Sequence, residues 1–355
     1  MTIPEHRQAI DKLDAQLVKL LNERTKHVLG IGAIKLRHGE EIYAPHRERQ
    51  VLQRIIRRNN GPITNDSLKA IYREIMSSAL ALEKSMHIAY LGPEATFTHQ
   101  AAIQRFGSSL RYAAQKTIAD VFNEVAKGRA DYGVVPVENS TEGVVTHTLD
   151  MFVDSDLKIV SQIVLPISHC LVSRVQRSQI KKLFVHPQTL AQCRSWIHRT
   201  FPHAELIETS SNARSAELAA TERNSGAIAG LLAAEKYRVP VLEHDIQDNS
   251  ANATRFLVLG RKCSPRTGSD RTSIMVRIED KAGALDRILA LFRRRRLNLI
   301  KIESPSTRPD SRSCYIFLDF NGHADDSKVT QMLSEMPRYS LETKVLGTYP
   351  NVEKD

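Results

Sequence analysis

The chain has 355 residues, of which 41% are hydrophobic and 25% are charged, and its formal net charge is +10. This length predicts two or three domains with the composition of a globular protein. No apolar run reaches the about 20 residues that span a bilayer, and the start, MTIPEHRQAIDK, lacks the apolar core of a signal peptide. The four scattered cysteines match no metal-site spacing, which predicts free thiols in a reducing cytoplasm. The positive charge favours anionic partners.

Residues 1–85 have the pattern of helices alone. The spacing of apolar residues predicts a first helix over residues 4–37, a second over 45–58 and a third ending near residue 84, with Asn65 or Asp66 as its N-cap. So long a first helix extends beyond its two partners, and the set is too thin to bury a good core. We therefore expect a dimer with interleaved helices.

Each of these helices directs ionisable side chains toward its apolar face. The cations are Arg7, Arg24, Lys35 and Arg47, and the carboxylates are Glu48 and Glu83. Burying an unpaired charge costs several kcal/mol, so these groups must pair with each other or with a ligand. Internal ion pairs would explain any one of them. The excess of cations favours a small dianion bound inside the helical domain.

From residue 85 onward, predicted strands alternate with predicted helices, which indicates an α/β domain. In open α/β sheets, ligands bind beyond the carboxyl ends of the strands. ENSTEG follows the predicted strand DYGVVPV, HPQT follows KKLFV, and NATRF precedes FLVLG, and we expect these polar segments to line the crevice. After RKCSPRTGSDR, the last module has the βαββαβ order of ferredoxin-like folds.

Five motifs occur in order behind the helical part. They are GVVPVENS (133–140), HPQTLAQC (186–193), NATRFLVLG (252–260), AGAL (282–285) and KIES (301–304). With them the chain resembles the bifunctional chorismate mutase/prephenate dehydratase (P-protein) family of phenylalanine biosynthesis over essentially its whole length. The resemblance implies an all-α chorismate mutase domain (1–85), a two-lobed, periplasmic-binding-protein-like α/β prephenate dehydratase domain (86–262) and a ferredoxin-like ACT regulatory domain (272–350).

For the mutase reaction, the resemblance implies that the protein holds chorismate in a chair-like conformer and stabilises charge on the ether oxygen. Arg7 and Arg24 would bind the two carboxylates, one cation coming from the partner chain of a dimer. Lys35, together with Glu83 in its protonated form, would donate hydrogen bonds to the ether oxygen.

Further mutase contacts follow from the same resemblance. Glu48 would hold the substrate hydroxyl beside Arg47. Ala44 stands where members often have Asp, and its backbone amide can serve that contact. Ala79 stands where some members have Ser, and Glu83 where some have Gln, so burial must raise the pKa of Glu83 to keep it protonated.

For the dehydratase reaction, the resemblance makes Thr254 the central catalytic residue, with Arg255 and Phe256 shaping the site. No metal or organic cofactor is implied. The remaining residues expected to line the cleft are Glu138, Asn139, Ser140 and Gln192.

The ACT resemblance implies phenylalanine as an effector, bound at a dimer interface. The contacts it implies are Gly283, Ala284 and Leu285 of the first motif and Glu303 and Ser304 of the second.

Three departures from the family bear on these expectations. Val185 precedes HPQ where Ser is usual, and Ala95 stands where Gly is usual. The second effector motif has Pro305 and Ser306 where the family has Arg and Pro, and a proline removes a backbone donor.

Two other functions compete with this interpretation. A nucleic-acid-binding regulator with an ACT sensor would use the arginines of residues 293–296 and 57–58, yet no recognition-helix or stacking-aromatic motif accompanies them. A sensor that has lost dehydratase chemistry is the alternative suggested by Val185. We expect the bifunctional enzyme, acting on chorismate and prephenate as a homodimer or larger homo-oligomer, with neither nucleic acid nor membrane as partner.

Overall fold

The computed structural model describes residues 1–304 and 312–351. Its internal contacts divide the chain into two units. The first comprises Met1–His87 with Arg105–Arg111, and the second comprises Ile88–Gln104 and the chain from Tyr112 onward.

Three helices form most of the first unit, as predicted. They are α1 (Ile3–Arg37), α2 (Pro45–Arg57) and α3 (Asn65–Glu83). Glu5 caps the start of α1, where its carboxylate accepts the backbone N–H of Thr2 at 2.7 Å.

The predicted N-cap of α3 is wrong by one or two residues. Thr64, with extended backbone dihedrals, is the N-cap, and its Oγ1 accepts the N–H of Ser67 at 3.1 Å. Asn65 and Asp66 already lie within the helix. Asn and Asp are favourable caps, but the Thr64 hydroxyl, one residue earlier, is the group that reaches the N–H of the third helical residue.

The apolar face of α1 is left uncovered within the described part of this chain. Ile10, Leu13, Leu17, Leu20 and Ile31 are each more than half exposed. A contiguous apolar face of this length is typical of an interaction surface.

The α/β region follows in the chain. Its strands are β1 (His87–Leu91), β2 (Arg111–Gln115), β3 (Tyr132–Asn139), β4 (Gly143–Val144), β5 (Lys158–Pro166), β6 (Cys170–Ser173), β7 (Lys182–Val185), β8 (Glu205–Glu208), β9 (Ser225–Ala229), β10 (Val241–Glu243) and β11 (Ala253–Gly260). Its helices are α4 (Phe97–Phe106), α5 (Ile118–Ala126), α6 (Thr146–Asp154), α7 (Pro187–Gln192), α8 (Arg194–Thr200), α9 (Asn212–Thr221) and α10 (Leu231–Tyr237).

Two mixed sheets organise this region. The first has the order β2-β1-β3-β11-β5, with β4 paired to β3, and the second has the order β10-β6-β9-β7-β8. Strand β11 runs antiparallel to both β3 and β5. This register places Thr254, near the start of β11, opposite Asn139 at the end of β3.

The segment TLAQCRSWIHRTF has the sequence pattern of one helix, but it forms two helices, α7 and α8, with a break at Cys193. The carboxylate of Asp248 accepts the backbone N–H groups of Ser195 and Trp196 at 2.9 and 3.1 Å, and its own N–H donates to the Gln192 carbonyl at 2.8 Å. Asp248, distant in sequence, therefore caps the start of α8 and donates a hydrogen bond to a carbonyl group at the end of α7.

The last module contains β12 (Asp270–Glu279), α11 (Ala284–Arg295), β13 (Leu299–Glu303), β14 (Ser313–Asn321), α12 (Ser327–Glu335) and β15 (Glu342–Pro350). Its antiparallel sheet has the order β13-β14-β12-β15. The two helices pack with this sheet around a core of their own that includes Ile288, Phe292, Phe320 and Met332.

This module packs directly on the first sheet. A Cβ placed on Gly347 of β15 would lie 2.1 Å from the Ile159 carbonyl oxygen of β5, so glycine is needed for the close backbone approach. One apolar cluster contains Leu257 and Phe152 together with Phe317 and Leu346 of the module. The module and the sheet therefore share a core.

Candidate active sites

The carboxyl group of Glu83 lies against α1. A Cβ placed on Gly32 would lie 2.5 Å from Glu83 Oε2, so the glycine leaves the space that the carboxyl group occupies. Burial raises the pKa of Glu83 above its ordinary value, while nearby Lys35 and Arg24 lower it in part. The structure thus brings these three predicted residues together and favours a carboxyl group that retains its proton.

Two cations of this cluster have different surroundings. Lys35 Nζ donates to the Ile42 carbonyl oxygen at 3.0 Å. Arg24 Nη1 is buried and has no hydrogen-bond partner among the described residues. Ala79, 3% exposed, lies one turn before Glu83 on α3. A buried guanidinium N–H without a partner is costly, and a ligand carboxylate would satisfy it.

Glu48 has a partner that the sequence did not indicate. Arg105 Nη2 lies 3.2 Å from Glu48 Oε2, and both side chains are mostly buried. The guanidinium carbon also lies 5.5 Å from the centre of the Tyr43 ring. Burial raises the pKa of Glu48 above its ordinary value, and nearby Arg105 opposes that rise in part. Arg105 follows the helical domain by some twenty residues of chain, and its sequence context, QRFG, carries no signal of this pairing.

The other predicted mutase residues lie at the edge of this cluster or away from it. Ala44 is the N-cap residue of α2, and its carbonyl oxygen accepts the N–H of Arg47 at 2.9 Å. The exposed Arg47 side chain donates to Gln50 at 3.4 Å. Arg7 is exposed on α1, about 25 Å along the helix from Arg24 at 1.5 Å per residue. One chain therefore does not bring Arg7 to Arg24.

In the second unit, Asn139 fixes the hydroxyl of Thr254. The Asn139 Oδ1 accepts the backbone N–H groups of Thr141 and Glu142 at 2.9 and 3.1 Å. Its Nδ2 donates to Asn252 Oδ1 at 3.0 Å and to Thr254 Oγ1 at 2.9 Å. Both amide hydrogens are then used, and the Thr254 oxygen is an acceptor in this bond. The hydroxyl proton of Thr254 remains for donation to another group.

Gln192, the last residue of α7, joins the same network. Its Oε1 accepts from Asn252 Nδ2 at 3.0 Å and lies 2.7 Å from His169 Nε2, while its Nε2 donates to Glu142 at 2.9 Å. Burial lowers the pKa of His169, which favours the neutral ring, and the acceptor oxygen of Gln192 favours the tautomer with its proton on Nε2. His169, Asn252 and Glu142 were missed by the sequence analysis, although ENSTEG and NATRF, which were expected to line the crevice, contain two of them.

Ser140 lies beside this network at the strand end. Its Oγ accepts the N–H of Ala253 at 3.0 Å, and its N–H donates to the Ala253 carbonyl oxygen at 2.9 Å. These bonds hold the loop after β3 against the start of β11.

Glu138 and Arg255 point away from Thr254. They are opposite each other in β3 and β11, one residue from the Asn139–Thr254 pair, and successive side chains of a strand face opposite ways. Glu138 pairs with Lys301 at 2.6 Å, and Arg255 pairs with Asp319 at 2.7 Å. The structure therefore places both against the last module.

Three other residues that the sequence analysis singled out are explained by packing or by backbone conformation. Phe256 is 1% exposed within β11. Val185 is fully buried in an apolar cluster with Leu171 and Ile197, so this side chain faces the core. Ala95 has a φ of +65°, a region that favours glycine, and its N–H donates to His99 Nδ1 at 3.1 Å.

The predicted effector residues lie in two segments of the last module, one after β12 and one at the end of β13, and both strands pair with β14. Gly283, with φ +79°, precedes α11, where Ala284 is buried and Leu285 is 37% exposed. Glu303 ends β13, and the Ser304 hydroxyl donates to the Tyr315 carbonyl oxygen at 3.2 Å. Pro305 and Ser306, the altered part of this motif, lie outside the described residues.

Within residues 1–304 and 312–351, no group of three or more His, Cys, Asp or Glu side chains is arranged to hold a metal ion. In the same ranges, none of the helices has the length and apolar character to cross a membrane.

Comparisons with known proteins agree with the division of the chain into a helical part and an α/β part. A family model described as chorismate mutase type II matches residues 6–84, and one described as prephenate dehydratase matches residues 88–264. Among solved structures, the prephenate dehydratase of Arthrobacter aurescens in complex with L-Phe is 35% identical with a TM-score of 0.71. The match covers 76% of this chain and 92% of that one.

Relatives of full length are also similar. The bifunctional chorismate mutase/prephenate dehydratase of Aquifex aeolicus is 43% identical over 353 residues, which is 98% of each chain. The protein of the same name from Pseudomonas aeruginosa is 40% identical over 351 residues, covering 97% of this chain and 96% of that one. The chain therefore belongs to the bifunctional chorismate mutase/prephenate dehydratase family.

Proposed function

We propose that the chain catalyses two consecutive reactions of phenylalanine biosynthesis. Its helical domain rearranges chorismate to prephenate, and its α/β domain converts prephenate to phenylpyruvate, carbon dioxide and water. Similarity over the whole length to the bifunctional relatives supports both activities. The observation that carries the second activity is the hydrogen bond from Asn139 to Thr254 Oγ1, which leaves the threonine proton for donation.

In the mutase site, Arg24 binds one carboxylate of chorismate through the guanidinium N–H that lacks a partner among the described residues. Lys35 and protonated Glu83 donate to the ether oxygen, where negative charge develops as the C–O bond breaks. The raised pKa of Glu83 supports this role, because an ionised carboxylate would repel the developing charge.

On the other side of the substrate, ionised Glu48 accepts a hydrogen bond from the substrate hydroxyl. Burial raises the pKa of Glu48 on balance, and the cation of Arg105 opposes that rise and so favours the ionised form that this contact needs. The backbone of Ala44 and the side chain of Arg47 flank this contact, and the small Ala79 leaves room for the ring.

The mutase site is completed by a second copy of the chain. Arg7 lies too far along α1 to reach the ligand of Arg24 in its own chain. The exposed apolar face of α1 supports a homodimer in which the partner's helix covers it and delivers this arginine.

In the dehydratase site, Thr254 donates its hydrogen bond to the departing hydroxyl of prephenate. The C–COO⁻ electron pair moves into the ring as carbon dioxide leaves, the C–OH bond breaks, and the ring becomes aromatic. The departing hydroxide takes up one proton, so solvent must restore any proton that Thr254 supplies. Asn139, Ser140 and Gln192 line the cleft, and Phe256 holds the strand in place.

The last module is proposed to be a ferredoxin-like ACT domain that binds phenylalanine through Gly283, Ala284, Leu285, Glu303 and Ser304. Its sheet order, β13-β14-β12-β15, supports the assignment. The related Arthrobacter dehydratase in complex with L-Phe supports the choice of ligand.

The domain limits that we propose are residues 1–85, 86–262 and 272–350, with the α/β domain two-lobed like periplasmic binding proteins. The four free cysteines and the biosynthetic relatives support a cytoplasmic location.

The purified full-length chain tests this proposal. Given chorismate, it should form prephenate and then phenylpyruvate, and given prephenate it should form phenylpyruvate directly. A chain that consumes chorismate but leaves prephenate untouched would contradict the second activity, and the reverse would contradict the first.

A further inference from the structure

Strands β3 and β11 carry two residue pairs that face opposite ways. Asn139 lies opposite Thr254, and Glu138 lies opposite Arg255. The first pair is joined by the 2.9 Å hydrogen bond of the candidate dehydratase site. Because neighbouring side chains of a strand alternate between faces, the second pair faces the last module. A movement of either strand would affect both pairs.

The pair that faces the module is held by two ion pairs. Arg255 Nη2 lies 2.7 Å from Asp319 Oδ2, and both side chains are nearly buried, at 9% and 13% exposure. Glu138 Oε2 lies 2.6 Å from Lys301 Nζ, with side chains that are 35% and 18% exposed, so this pair is the less shielded of the two. Ion pairs shielded from water are weakly screened, and losing one partner leaves a costly uncompensated charge. These contacts therefore constrain the two strands.

Hydrogen bonds fix the guanidinium of Arg255 from other directions. Its Nε donates to Gln162 Oε1 at 2.9 Å, and its Nη2 donates to Tyr349 OH at 2.9 Å. Tyr349 OH also lies 2.7 Å from Ser273 Oγ, which donates to Asp319 Oδ1 at 2.6 Å. The network anchors Arg255 to three strands of the last module.

Lys301 also connects to the predicted effector motif. Its Nζ lies 3.4 Å from Glu303 Oε1, so one ammonium group lies between Glu303 and Glu138. A cavity of about 30 Å³, enough for about one water molecule, is bordered by Arg255, Lys301, Glu303 and Asp319. The Arg255–Asp319 ion pair, Lys301 and Glu303 thus border the same space.

We propose that Glu138 and Arg255 are positioning residues, which tie the strands of Asn139 and Thr254 to the last module through Lys301 and Asp319. A change at Glu303 that draws Lys301 away from Glu138 loosens the end of β3 and, with it, the bond from Asn139 to Thr254. This inference rests on the proposed dehydratase function of Thr254. Under this proposal, Glu138 and Arg255 position the two strands and do not make the substrate contact that the sequence had led us to expect.

A double-mutant cycle in the full-length chain distinguishes positioning from substrate binding. Lys301→Gln, Glu138→Gln and the double variant should each lower dehydratase kcat by the same factor, about fivefold, with KM for prephenate unchanged. Asp319→Asn should also lower kcat without changing KM. Glu335→Gln, which removes an ion pair with Arg295 inside the module, is the matched control and should leave dehydratase kcat unchanged. If Glu138→Gln raises KM while the effects of the two single variants add, Glu138 contacts substrate and the proposal fails.

Hydrogen exchange gives a readout that does not require turnover. The N–H groups of Thr141 and Glu142 donate to Asn139 Oδ1, so they report the order of this strand end. They should exchange faster in Lys301→Gln and Glu138→Gln than in wild type or Glu335→Gln. Unchanged exchange in the two variants would overturn the inference. An inactive wild-type chain in which exchange still responds would instead contradict the proposed function.

Discussion

Gly32 and Glu83 lie in contact across α1 and α3, with the glycine leaving the space that the carboxyl group fills. A Cβ at residue 32 would lie 2.5 Å from Oε2 and 3.0 Å from Cγ of Glu83. Real Cβ atoms do not approach so closely, but the end of a flexible side chain can move aside. A methyl group at residue 32 would therefore displace the Glu83 carboxyl group more than it would destabilise the fold.

Gly32→Ala should lower mutase kcat/KM by about 100-fold, the cost typical of a 1 Å misplacement, because the methyl group displaces Glu83. Gly30→Ala is the control, since a Cβ there meets no atom within 4 Å in this chain. It should keep its activity and gain up to about 1 kcal/mol in unfolding free energy from the better helix former. Steady-state chorismate kinetics and denaturant unfolding measure both. Equal mutase activity in the two variants would contradict the placement of Glu83.

The pH dependence of the mutase reaction tests the protonation of Glu83. Burial raises the pKa of this carboxyl group, and the protonated form is the donor. Activity should therefore be full below the raised pKa and be lost as pH rises through it. Glu83→Gln donates at every pH, so its kcat should be nearly independent of pH over that window. A Gln variant that keeps the wild-type decline would exclude Glu83 as the titrating group.

Arg105 provides a test of the other carboxylate. Arg105→Met leaves the burial of Glu48 unopposed, so the pKa of Glu48 should rise further. The variant should then bind chorismate less tightly at low pH and recover as pH rises and Glu48 ionises. We expect KM to increase about tenfold at the acidic end, typical of losing one charge-assisted bond.

Two further variants control for this effect. Arg105→Lys keeps a cation and should show a smaller increase in KM, while the exposed Arg57→Met should behave as wild type. Dehydratase turnover by the same chains reports their folding. A pH-independent loss of mutase activity in Arg105→Met would assign Arg105 a packing role.

The helices of the first unit could be predicted because their apolar period is local in sequence. The break at Cys193 could not, because the cap that creates it comes from Asp248, and the pairing of Glu48 with Arg105 is equally remote. The opposite orientation of Thr254 and Arg255 was within reach, since residues of one strand alternate between its faces. Thr254 and Arg255 are adjacent in the family motif, but their side chains lie on opposite faces of β11.

The hydroxyl of Thr254 tests the dehydratase mechanism most directly. Thr254→Val keeps the shape of the side chain and removes the donor, whereas Thr254→Ser keeps the donor. With prephenate as substrate, Thr254→Val should lose at least about 100-fold in kcat with little change in KM, and Thr254→Ser should retain much of the wild-type rate. Mutase activity of the same chains should be unchanged, which reports that they fold. Near-normal phenylpyruvate formation by folded Thr254→Val would contradict donation by this hydroxyl.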